Sequence, residues 1–149
     1  WKQEPDDYLE HILGHDRLEK LNPIRTFRDN GIVVSFGSDA PCTTPDPIAW
    51  MDKAVNNGNA GQAVSVQDAL RMCTYNGAWA AFDEQERGSL EAGKIADMTV
   101  LSENPYTGPK DKIKDIRVER LYLSGKSYES CRESILPMML RGLTSRNKA

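Results

Sequence analysis

Residues 35 to 41 read Ser-Phe-Gly-Ser-Asp-Ala-Pro and follow directly on a β-branched run, Ile32-Val33-Val34. A strand that finishes on Asp39 and is stopped by Pro41 holds one carboxylate at the open end of a sheet, where water, a metal ion or a substrate can reach it. General acid or base catalysis is the chemistry open to such a group. The alternative duty is capping a turn, which acids beside a proline often do.

His11 and His15 are the only histidines, and their i, i+4 spacing on one helix face could clamp zinc. Gly14 stands between them and Pro5 ahead of them, with no third ligand nearby, so exposed or capping histidines are expected. Cys42 follows Asp39 by three positions and can line the same mouth. With no histidine base close in sequence, a small buried thiol is expected there rather than a nucleophile. Gly58 and Gly61 lack both a preceding strand and a following lysine, so no phosphate-binding loop is present.

The elements that would carry these groups are punctuated clearly. Asn22 as cap, Pro23 in the first turn and Gly31 past the end predict a helix, with a strand over 32–37 following at once. Asp46 and Pro47 open a further helix with Ile48, Met51, Ala54 and Val55 on one side, ending at Gly58. Ser65 and Asp68 form a capping box for a helix carrying Ala69, Leu70 and Met72. Another helical piece runs from Thr74 to Phe82, with small alanines for close packing and Trp79 and Phe82 as core candidates. Past residue 88 the pattern turns to strands at 95–101 and 116–123, the latter changing apolar phase between Val118 and Leu121 as a bulge or an edge strand near Glu119 and Arg120 would, then a turn at Ser124-Gly125 and a partner around Ser127-Tyr128. A C-terminal helix over 130–143 is expected to close the chain.

The totals exclude several function classes. With 149 residues, 19 basic and 22 acidic side chains and a net charge of -3, the chain offers no electrostatic footprint for nucleic acid or acidic membranes. No apolar run approaches the roughly 18 to 20 residues of a membrane span. Cys42, Cys73 and Cys131 stand at no ligand-like spacing. They fit free thiols in a reducing compartment, so cytoplasmic localisation is the expectation. A start on Trp1 without methionine is expected of a piece of a longer polypeptide.

Three stretches in order, Gly37-Ser38-Asp39-Ala40-Pro41, Ala69-Leu70 through Thr74-Tyr75-Asn76-Gly77-Ala78, and Gly88-Ser89-Leu90-Glu91-Ala92-Gly93-Lys94-Ile95-Ala96-Asp97-Met98, resemble the C-terminal part of the amidohydrolase superfamily. The nearest likeness is to its YtcJ-like branch, amidohydrolase family 3, which includes exoenzyme regulatory proteins of the AepA kind. The resemblance covers about residues 15–128. It implies an α/β fold: the end of a TIM-type barrel over residues 1–87, including the last barrel strand at 32–37 and the closing helices, then β-sandwich strands and a helix over 88–149.

By the same resemblance, Asp39 corresponds to the acid that contacts the catalytic metal and accepts a proton from the attacking water. Asp97 is structural, and Glu91 and Lys94 lie on an exposed turn. The implied cofactor is a divalent metal, zinc, in the full-length protein. Its histidine ligands, headed by a His-x-His pair, have no counterpart in this sequence, so the chain alone is expected to bind no metal and to be inactive. The implied partners are a small amide-type substrate, the N-terminal barrel part of the same protein and, for a strand left without neighbours, further copies of the chain. The competing reading is a non-catalytic regulatory or interaction module that retains the amidohydrolase C-terminal fold.

Overall fold

The computed structural model describes residues 5–128; the helix expected over 130–143 lies outside them. The element order is α1 (Asp6–Leu13), α2 (His15–Leu18), α3 (Ile24–Asp29), α4 (Pro47–Val55), a 3-10 turn (Ala60–Gln62), α5 (Val66–Cys73), α6 (Tyr75–Ala80), β1 (Met98–Leu101), a second 3-10 turn (Lys110–Asp115), β2 (Val118–Leu123) and β3 (Lys126–Tyr128). Helices thus fill the first half, and the strands all follow residue 97.

Local signals set most boundaries. Asp46 accepts hydrogen bonds from the Ile48 and Ala49 amides at 3.1 and 3.2 Å, with Pro47 beginning α4 where its missing donor costs nothing. Ser65 Oγ accepts from the Asp68 amide at 3.0 Å and donates to the Asp68 carboxylate at 2.6 Å. Gly31, at φ +75°, ends the α3 turn, with the Gly31 and Ile32 amides donating back to Arg28 and Phe27. Asn22 does not cap that helix; it sits at φ +52°, Pro23 takes the cap position, and no side chain satisfies the helix start.

The core joins α4 to α5. Met51, Ala54 and Val55 of α4 pack with Val64 and with Ala69 and Met72 of α5, all 5% exposed or less. Ile113, 1% exposed, closes the cluster from the second 3-10 turn, and Asn56 Nδ2 donates to Lys110 O at 2.8 Å beside it. Val34 and Phe36 pack on the same cluster from the extended segment before the Asp39 turn.

Two further sequence expectations do not hold. Residues 32–38 are in no β-ladder: a strand exists only where a neighbour pairs with it, and none lies beside this segment among the described residues. Trp79 and Phe82 are 46% and 94% exposed instead of forming core. Phe82 occupies the left-handed position past α6, at φ +59°, where the Asp83 amide reaches back to Ala78 O at 2.9 Å and the Phe82 amide to Trp79 O at 3.0 Å. That Schellman geometry turns its ring outward.

The three strands form one antiparallel sheet in the order β1-β2-β3. Val100 pairs with Arg120 and Leu101 with Val118, which leaves Glu119 as a bulged residue, one of the two outcomes the phase change allows.

Candidate functional site

Asp39 sits at the corner where the extended segment turns. Its φ of +53° is left-handed, a conformation that acids and amides tolerate better than other side chains. Its carbonyl accepts from the Cys42 amide at 2.8 Å, closing a four-residue turn that contains a cis Ala40–Pro41 bond. Ser38 Oγ accepts from the Ala40 amide at 3.2 Å, and Thr43 Oγ1 donates to the Ser38 carbonyl. The backbone around the acid is therefore tied down on both sides. The carboxylate itself is exposed, and among the described residues no hydrogen bond or ion pair engages it. An open hollow of about 430 Å³ beside it is lined by residues 40–45.

The segment leading to Asp39 is held from one side by α5 and α6. Phe36 N donates to Met72 O at 3.2 Å, and Asn76 Nδ2 donates to Val34 O at 2.7 Å. Asn76, 8% exposed, lies within a stretch that carries the family resemblance, but no local pattern signals this contact. Further back, a cavity of about 330 Å³ lies between Ile32, Val33 and the helices. Arg28 on its wall pairs with Asp68, and Arg71 stacks over the Tyr75 ring at 4.2 Å. Burial pushes the Asp68 carboxyl up, but hydrogen bonds from Ser65 and Arg28 outweigh it and hold the group below its usual value.

The other sequence candidates fall away from Asp39 chemically. His11 lies in the last turn of α1 and His15 begins α2, with Gly14 at φ +76° between them, so the two do not share one helix. His15 faces glutamates instead, Nδ1 3.1 Å from Glu10 and Nε2 3.6 Å from Glu19. Among the described residues no three His, Cys, Asp or Glu side chains come together as a metal could require. The metal implied by the resemblance finds one candidate ligand here, Asp39, where about three or four protein ligands are needed. The described residues alone are too few to hold that ion.

Asp97 carries structural bonds: Oδ1 accepts from the Ser124 amide at 2.8 Å and Oδ2 lies 3.4 Å from Arg87. Lys94 is not an exposed turn residue. Its side chain is 12% exposed, and Nζ donates to Glu84 O at 2.7 Å and to Ser89 Oγ at 2.6 Å. Glu91, 3.2 Å from that amine, remains exposed.

The thiols part company. Cys42 is exposed, contrary to the buried thiol expected. Burial pushes Cys73 up to about 11, leaving roughly one thiol in a thousand ionised near about pH 8. Alkylation of the folded chain followed by peptide mapping is expected to label Cys42 readily and Cys73 only after unfolding. Equal labelling of the two in the native state contradicts this placement.

A chain of packed helices, an acid-tipped extended segment and a small antiparallel sheet is of mixed α/β class. Residues 3–128 match the pattern described as "Amidohydrolase family", and the chain belongs to that family. It is 36% identical over 132 residues to the N-substituted formamide deformylase of Arthrobacter pascens, an alignment covering 84% of this chain and 22% of that protein. It is 28% identical over 124 residues to the amidohydrolase YtcJ of Bacillus subtilis (strain 168), covering 76% of this chain and 23% of the relative. Among solved structures, an amidohydrolase from Thermotoga maritima MSB8 superposes with a TM-score of 0.58 at 26% identity, over 71% of this chain and 25% of that one. The chain thus spans under a quarter of the length of the curated relatives named here. No helix among the described residues is long and apolar enough to cross a membrane.

Proposed function

We propose that the chain supplies the C-terminal portion of a metal-dependent amidohydrolase that hydrolyses carbon–nitrogen bonds of amides or cyclic amides. Residues 1–87 would complete a TIM-type barrel and 88–149 a small β-sandwich. Asp39 is the catalytic residue of this reading and the one described side chain offered as a contact for the metal. The observation that carries it is the exposed Asp39 carboxylate, without a partner among the described residues, at the tip of a backbone tied down on both sides, in a chain of the amidohydrolase family.

The work assigned to Asp39 is proton transfer. As water adds to the amide carbon, the carboxylate takes its proton. As the carbon–nitrogen bond breaks, the same proton passes to the departing nitrogen, leaving a carboxylic acid and an amine. An acid free of competing partners among the described residues is available to that proton, and an anchored backbone keeps it in place. The deformylase relative supports an amide-type substrate by its name. The metal, a divalent ion and zinc by expectation, would take its remaining ligands from polypeptide beyond this chain.

One consequence is testable at once. The isolated chain, dialysed against zinc, is expected to retain well under one ion per molecule and to leave an N-substituted formamide unhydrolysed. Tight stoichiometric zinc with turnover would show that the chain is catalytically sufficient by itself.

A further inference from the structure

With no strand beside residues 32–38 among those described, their register must be fixed in another way. Residues 34 and 36 are half-buried on the helical core and 38 is half-buried, while 33, 35 and 37 are exposed, the period of two of an extended chain, and exposed Asp39 stands at the corner that ends it. In such a chain the backbone groups of residues two apart lie along the same edge. On that edge the Asn76 amide donates to Val34 O at 2.7 Å and Met72 O accepts from Phe36 N at 3.2 Å. The α5–α6 junction therefore offers one donor and one acceptor, as a paired strand would.

We infer that Asn76 is a positioning residue: by donating to Val34 O it sets the register of residues 32–38 and so places Asp39, and not Ser38, on the open face. This rests on the reading of Asp39 as the catalytic acid. A slip of one residue would exchange the two faces along the whole segment. The Met72 carbonyl belongs to the backbone and is there whatever its side chain, so Asn76 is the side chain that specifies the register.

Asn76→Asp tests this with the same side-chain volume. The carboxylate cannot donate to a carbonyl, yet an acid in the first turn of α6 suits that helix. In the chain itself, the Phe36 amide, the one amide of residues 34–39 with an acceptor among the described residues, is expected to exchange with solvent about tenfold faster or more, while protection in α4 and α5 persists. In the complete amidohydrolase acting on an N-substituted formamide, kcat is expected to fall about 10- to 100-fold with KM little changed. Asn76→Ala should do the same, and if it fails to fold Asn76→Asp decides. Unchanged exchange at the Phe36 amide, or unchanged kcat, in a protein that Asp39→Asn inactivates, overturns the inference and leaves the catalytic reading intact. Full turnover by Asp39→Asn removes both.

Discussion

Replacing Asp39 by Asn in the complete amidohydrolase is expected to lower kcat by about 10² to 10⁴, the usual worth of a positioned general acid or base, without loss of stability. The two halves of that expectation have separate causes. Asparagine accepts the left-handed φ of +53° nearly as readily as aspartate, and the exposed carboxylate has no partner among the described residues to lose. Folding should therefore be indifferent to the change. Catalysis should not be, because a neutral amide cannot take the proton of the attacking water. Steady-state kinetics beside a urea titration of each protein separates the two effects. A kcat within an order of magnitude of the unsubstituted enzyme would remove Asp39 from the chemistry.

Gly88→Ala is expected to be the most damaging small substitution for folding. Gly88 has a φ of +89°, and a methyl group there would stand 2.6 Å from the Ala78 Cβ and 3.2 Å from the Tyr75 Cα. Disfavoured backbone and overpacking each cost about 1 to 3 kcal/mol, so a loss of roughly 2 to 6 kcal/mol is expected. Backbone at Tyr75 cannot yield as a flexible side-chain tip could. The contact also explains why α6 needs its alanines: Ala78 is where the chain returning from Gly88 touches the helix. Gly77→Ala in the same helix has open space around it and should be neutral or stabilising by up to about 1 kcal/mol. A fall in the urea midpoint for Gly88→Ala at unchanged slope, with none for Gly77→Ala, is the expected pair of results. Equal midpoints would mean that the turn does not seat against α6 as described.

Features governed by neighbours in sequence were legible there. Asp46 with Pro47, Ser65 with Asp68, and Gly31 act within a few residues, so their types alone foretell the helix ends. The phase change between Val118 and Leu121 was equally readable and left a bulge or an edge strand near Glu119 and Arg120 open; the pairing with β1 decides for the bulge. What escaped depends on distant partners. The run at 32–37 has the composition of a strand, but pairing is a property of two segments, and the described residues supply only one. Ile113 looks isolated among lysines and aspartates, and only the fold brings it to α4. Trp79 and Phe82 were read by size, whereas the left-handed residue after α6 decides where Phe82 points.

The candidate site divides in the same way. Asp39 was visible as an acid between a β-branched run and a proline. The contact from Asn76 to Val34 spans 42 residues, and no local pattern announces it. Lys94 reads as a surface charge in a glycine-rich turn, yet it is used to fasten that turn to Glu84 and Ser89.

Everything functional turns on Asp39 standing clear of the protein at an anchored corner, and its reactivity in the folded chain measures that directly. Carbodiimide coupling of an amine to carboxylates, read by peptide mapping, is expected to modify Asp39 as fast as the exposed Glu91, while Asp52, 9% exposed, stays protected. Protection of Asp39 to the level of Asp52 would contradict the open placement and, with it, the catalytic role.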